Sequence, residues 1–97
     1  MWTLRSAEPE GALTFRLSPG AIKTVGRAAR ADFIVDVALV SRLHCRITAR
    51  ADTLEVVDLK STNGTYVNGR RVDRAALKSG DRLRIGRVEL TVENSGA

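Results

Sequence analysis

Apolar and polar residues alternate with a period of two from one end of the chain to the other. Trp2 and Leu4 alternate with Thr3 and Arg5, and Leu13, Phe15 and Leu17 with Thr14, Arg16 and Ser18. Leu43, Cys45, Ile47 and Ala49 alternate with His44, Arg46, Thr48 and Arg50; Leu83 with Ile85, and Val88, Leu90 and Val92, follow the same rule. A period of two places successive side chains on opposite faces of a strand, so each run predicts a strand with one face in a core and one in water. Turn signals separate the runs: Pro19-Gly20, Asp52, Asn68-Gly69, Ser79-Gly80-Asp81 and Gly86. Many short strands with frequent turns predict an all-β sandwich or barrel. Only Asp73–Lys78 (DRAALK) reads as helical, with Asp73 as its cap.

The densest polar stretch interrupts this pattern. Asp58–Gly69 (DLKSTNGTYVNG) gathers Ser61, Thr62, Asn63, Gly64 and Thr65 before a short strand-like segment and Asn68-Gly69. Small hydroxyl and amide side chains hydrogen-bond nearby backbone, so the run predicts a shaped loop. Asn-Gly between two strand-like segments is a strong hairpin signal. The loop is thus expected to be held at its C-terminal end by a hairpin, an arrangement suited to a binding site.

Composition narrows the class. The 97 residues predict a single domain over 1–97, with a core in 2–93 and a small polar tail, Asn94–Ala97, expected to fray. The opening MWTLRSAEPE does not read as a signal peptide, no apolar run approaches membrane-spanning length, and Cys45 is the only cysteine. These features predict an intracellular, cytoplasmic protein, with the nucleus left open, and no membrane partner. The net charge of +5 arises from 16 basic and 11 acidic residues, and the basic ones are nearly all arginine. A guanidinium matches two phosphate oxygens at once, so the excess suits a phosphate-bearing or acidic partner, although a solvated charged face would look the same.

The inventory for catalysis is thin. His44 and Cys45 are adjacent, which on a strand points them to opposite faces, and Cys45 falls on the apolar side. No cluster has metal-ligand spacing and no glycine pattern matches a nucleotide-binding loop, so neither enzyme activity, metal nor cofactor is expected. What remains is a set of polar loop segments between strands: Gly26-Arg27, Ser41-Arg42-Leu43-His44 and Lys60–Asn63. Donors converging from separate loops at one end of a sandwich would form an anion site.

These segments carry a resemblance. Gly26-Arg27, Ser41-Arg42-Leu43-His44, Ser61-Thr62-Asn63-Gly64-Thr65 with Asn68-Gly69, and Leu77-Lys78-Ser79-Gly80-Asp81 with Ile85-Gly86 resemble, in order and spacing, the signature of the forkhead-associated (FHA) domain. The resemblance implies a β-sandwich of about eleven short strands that binds phosphothreonine peptides in the loops at one end and performs no catalysis. By position, Arg27, Ser41 and Thr62 resemble the family's phosphate ligands, and Arg42 holds a place that reaches the phosphate in some members. Asn63 resembles the residue that binds the peptide main chain, while Gly26, His44 and Gly64 resemble architectural positions.

Val37-Ala38-Leu39-Val40 departs from the pattern, because many members have a polar turn there. Ala38, Leu39 and Lys60 are therefore candidates for reading the peptide beyond the phosphothreonine. The expected partner is a phosphothreonine-containing protein bound by a monomer. The alternative is a phosphate-independent interaction domain using the same loops, with Val37 and Leu39 as anchors. A nucleic-acid binder would want exposed stacking aromatics, and here only Tyr66 and Phe33 are candidates for that role, so no nucleic acid is expected.

Overall fold

The alternating runs pair into two sheets in a computed structural model that describes residues 1–6 and 13–95. The strands are β1 (Trp2–Arg5), β2 (Thr14–Leu17), β3 (Ile22–Gly26), β4 (Phe33–Ile34), β5 (Cys45–Ala49) and β6 (Leu54–Asp58), then β7 (Thr65–Val67), β8 (Arg70–Val72), β9 (Arg74–Leu77), β10 (Arg82–Ile85) and β11 (Val88–Asn94). One sheet runs in the order β2-β1-β11-β10-β7-β8 and the other β4-β3-β5-β6-β9. Pairing is antiparallel except between β3 and β4. The fold is an all-β sandwich, with no helix among the described residues.

Between the sheets lies one core. Leu4, Ile47, Leu54, Leu83 and Leu90 are fully buried there, and Trp2 joins them with its indole N–H donating to the Arg50 carbonyl at 2.7 Å. That bond satisfies the one polar atom of the largest core side chain. At the edges, Phe15 of β2 stacks on Phe33 of β4, with centroids 4.5 Å apart and rings within 10° of parallel. Phe33 is therefore packed against a ring, and Tyr66 is covered by the Arg84 guanidinium 3.9 Å from its centroid.

The hairpin closes as its sequence demands. Asn68 and Gly69 take φ of 51° and 82° between β7 and β8, with Val67 opposite Arg70. Two successive positive φ values match the right-handed twist of the flanking strands.

Four details depart from the alternating pattern. DRAALK is not helical: Arg74–Leu77 is β9, with Leu77 opposite Leu54 and Arg74 opposite Val57. Six residues cannot easily nucleate a helix, whereas the open edge of β6 offers a ready ladder and a core site for Leu77, which is fully buried. Thr3, expected on the wet face, is buried because β1 is an interior strand flanked on that face by the long side chains of Arg16 and Glu93. His44, also placed on the wet face by alternation, is fully buried. Finally, the expected tail begins inside the fold: Asn94 ends β11 opposite Trp2, and the Ser95 N–H donates to the Met1 carbonyl at 3.0 Å. The rest of that tail, and the acidic residues after Ser6, lie outside the described residues.

Candidate functional site

Three loops meet at one end of the sandwich. The first leaves β3 at Gly26, where backbone approaches backbone: a Cβ there would sit 2.1 Å from the Arg42 carbonyl oxygen. Only glycine fits such a contact. It lets the Arg27 N–H donate to the Ser41 carbonyl at 3.0 Å and the Ala28 N–H to the Arg42 carbonyl at 3.1 Å. The Arg27 Nε donates to the Val40 carbonyl at 3.0 Å, so the guanidinium is anchored from behind and its outer nitrogens are left for a ligand.

The second loop, 35–44, carries Leu39 at a φ of 74°. Gly86 makes room for it, since a Cβ on Gly86 would lie 3.0 Å from the Leu39 carbonyl. Beneath the loop sits His44. The Ser41 N–H donates to its Nδ1 at 3.0 Å, which makes Nδ1 the acceptor, and Nε2–H donates to the Gly64 carbonyl at 2.8 Å. One neutral imidazole thus ties the Ser41 loop to the Asn63-Gly64 loop.

The third loop, 59–64, is organised by a residue whose role the sequence pattern had not singled out. Asp58 accepts from the Ser61 hydroxyl at 2.5 Å, the Thr65 hydroxyl at 2.7 Å and the Ser61 N–H at 3.1 Å, and the Ser61 oxygen accepts from the Gly64 N–H at 3.0 Å. A carboxylate three residues before a serine is the signal that could have found it. Partial burial works against its charge, but the Ser61 and Thr65 hydroxyls and the Ser61 amide prevail and hold the carboxyl below its ordinary value. Gly64 closes the loop at a φ of 89°.

The loops enclose a cleft of about 530 Å³ lined by Arg27, Ser41, Thr62 and Asn63 and, on its far rim, by Asp36–Val40. Across it the Thr62 N–H donates to the Ser41 Oγ at 3.0 Å, and the Asn63 amide nitrogen donates to the Leu39 carbonyl at 3.0 Å. With Ser41's N–H, carbonyl and oxygen lone pair all engaged, its hydroxyl proton is the group left to donate. The expected residues Arg27, Ser41, Thr62, Asn63, Ala38 and Leu39 come together in this one cleft, whereas Arg42 and Lys60 do not line it. Asp36 and Val40 line it without having been anticipated.

Cys45 lies in the core, where burial, with a further push from the Asp58 charge, raises its thiol to about 12. At neutral pH it stays protonated and unreactive.

A two-sheet sandwich with an apical cleft of hydroxyl, guanidinium and amide donors defines a loop-based binding module. The FHA domain family model matches residues 23–86, and the chain belongs to that family. It is 42% identical over 80 residues to the ABC transporter ATP-binding/permease protein Rv1747 of Mycobacterium tuberculosis, covering 82% of this chain and 9% of that protein. It is 41% identical over 70 residues to the glycogen accumulation regulator GarA of the same organism, covering 72% of this chain and 43% of GarA. The chain thus spans less than half the length of either relative. Among solved structures it resembles an FHA domain studied for phosphothreonine-dependent interactions, with a TM-score of 0.88, 33% identity and coverage of 99% of this chain and 98% of that one. No helix among the described residues is long and apolar enough to cross a membrane.

Proposed function

We propose that this chain binds partner proteins through a phosphorylated threonine and acts as a signalling or assembly adaptor without catalysing a reaction. The observation that carries this reading is the convergence of Arg27, Ser41 and Thr62 on one cleft, where the Arg27 Nε and the Thr62 N–H are tied back to the loops and the outer Arg27 nitrogens and the two hydroxyls remain as donors. A phosphate near neutral pH carries about −1.5 to −2 charge and three strong acceptor oxygens, which is the complement of that donor set. Asn63, tied to Leu39 through its amide nitrogen, keeps its amide oxygen for a main-chain N–H of an extended peptide. Ala38 and Leu39 form an apolar rim beside the phosphate donors and would meet neighbouring side chains of the peptide. Arg42, exposed next to Ser41, adds long-range attraction and reaches the phosphate only by turning toward the cleft.

The relatives support the reading by family, and the FHA structure that it resembles was studied for phosphothreonine dependence. A second reading, a phosphate-independent contact, draws on the exposure of Ile34, Val37 and Leu39, each at least 40% accessible. Amide mapping separates the two. A phosphothreonine peptide should shift the amides of Arg27, Ser41, Thr62 and Asn63, and the unphosphorylated peptide should not. Equal shifts from both peptides would favour the second reading.

A further inference from the structure

We infer that a second cleft, which shares the 59–64 loop with the first, is an accessory anion site for a phosphate or carboxylate carried on the same bound peptide. The inference rests on the phosphothreonine reading and extends it. This cleft, of about 600 Å³, gathers Lys60 from the loop, Arg71 from β8 and Arg74 from β9, three cations contributed by separate elements. All three are exposed, and none forms an ion pair among the described residues, where the pairs are Arg50–Glu55 and Arg82–Glu89.

Two acids line the same cleft, Asp58 and Asp73. The oxygens of the Asp58 carboxylate are engaged by Ser61 and Thr65 but keep their charge, so three cations face two acids and the cleft carries one net positive charge. The balance therefore favours an anion. Guanidinium groups suit phosphate and carboxylate oxygens, and the fork of Arg71 or Arg74 can hold two at once.

Position connects this cleft to the first. A Cβ on Gly64 would lie 2.8 Å from the Arg71 Nε, so the guanidinium stem passes directly over the residue that follows Asn63. Lys60 has a φ of 55°, an uncommon backbone state for lysine, and is two residues from Thr62 in the phosphate cleft. Two residues span at most about 7 Å of chain. An extended peptide advances about 3.3 Å per residue. With the reach of the arginine side chains added, a second anion should fall about two to four residues from the phosphothreonine.

The test uses peptides with a single phosphothreonine, and versions carrying a second phosphothreonine or a glutamate at each spacing, two to four residues to either side. Binding is measured by calorimetry at low salt for the parent, Arg74→Glu and Lys60→Glu. At the best spacing the second anion should tighten binding by about tenfold. That gain should shrink with added salt and disappear in both variants, while Arg74→Glu binds the singly phosphorylated peptide like the parent. A gain from glutamate as well as phosphothreonine would identify a general acidic subsite, and a gain from phosphothreonine alone a doubly phosphorylated partner; either supports the site. If the single phosphothreonine binds but no second anion helps, or the gain survives both substitutions, the accessory site is wrong. If the singly phosphorylated peptide fails to bind at all, the phosphothreonine reading falls and this inference falls with it.

Discussion

Ser41 and Thr62 stand 21 residues apart in the chain, yet the Thr62 N–H donates to the Ser41 Oγ at 3.0 Å. The bond fixes the spacing of two walls of the cleft and leaves the Ser41 hydroxyl proton as the group free to donate. Ser41→Ala removes both the tie and the donor. Affinity for a phosphothreonine peptide should fall about 10- to 100-fold, the scale of one hydrogen bond to a charged group. Stability should fall by about 1 kcal/mol, lowering Tm by about 4–8 °C. Unchanged affinity would show that Ser41 only spaces the loops.

Arg27 is held through Nε to the Val40 carbonyl, and a lysine has no equivalent second edge. Arg27→Lys keeps the charge and should still lose most of the affinity in calorimetry, with Tm within about 2 °C of the parent because the side chain is exposed. Parent-like binding by the lysine variant would mean that charge alone, without the fork, recognises the ligand.

His44 should act through the fold. Its ring is fully buried and satisfies the Ser41 N–H and the Gly64 carbonyl. His44→Ala strands both groups, each at about 1–3 kcal/mol, and opens a cavity as well. Thermal melting without ligand should show a loss of about 2–6 kcal/mol from the stranded groups, with the cavity adding to it. Binding lost with melting unchanged would instead make His44 a direct contact.

Asp58 gives the 59–64 loop a pH dependence of defined sign. Its carboxyl is held below the ordinary value, so its folded pKa lies under the unfolded value of about 3.9. The stabilisation is fully present above that unfolded value and is lost as pH falls through the folded one. Asp58→Asn should melt at a lower temperature than the parent at neutral pH, and the gap should close as pH drops below about 4. A gap that persists undiminished at pH 2 would show that the carboxylate charge contributes nothing.

The strands of the core were legible because Cys45, Ile47 and Ala49, or Leu83 and Ile85, each face a single buried layer, and alternation reports that directly. The hairpin at Asn68-Gly69 was legible because its backbone state is nearly dictated by its residues. DRAALK was misread because a short segment takes its conformation from the edge of β6, a partner far away in sequence. Thr3 and His44 were placed on the wrong side for a related reason: a polar residue on an interior strand, or under a loop, is buried by neighbours that alternation does not encode.

Within the site, Arg27, Ser41, Thr62 and Asn63 were legible through the order and spacing of their motifs, and they share one cleft. Lys60 was grouped with them by adjacency to Ser61, but it lines the other cleft with Arg71 and Arg74. In a loop with a left-handed residue, neighbours in sequence face different directions, and the sequence alone carries no measure of that. The organising role of Asp58 was hidden because a carboxylate at the end of a strand looks like ordinary surface charge.

One titration decides whether the cleft recognises phosphate on threonine. A peptide with phosphothreonine and the same peptide with threonine are titrated into the parent protein at pH 7.5 and again at pH 5.5. The phosphorylated peptide should bind at least about 100-fold more tightly at the higher pH, since it recruits more than one charge-assisted hydrogen bond. Its advantage should narrow at the lower pH, where phosphate gains its second proton near pH 6. Equal affinities for the two peptides at pH 7.5 would show that the cleft does not recognise the phosphate.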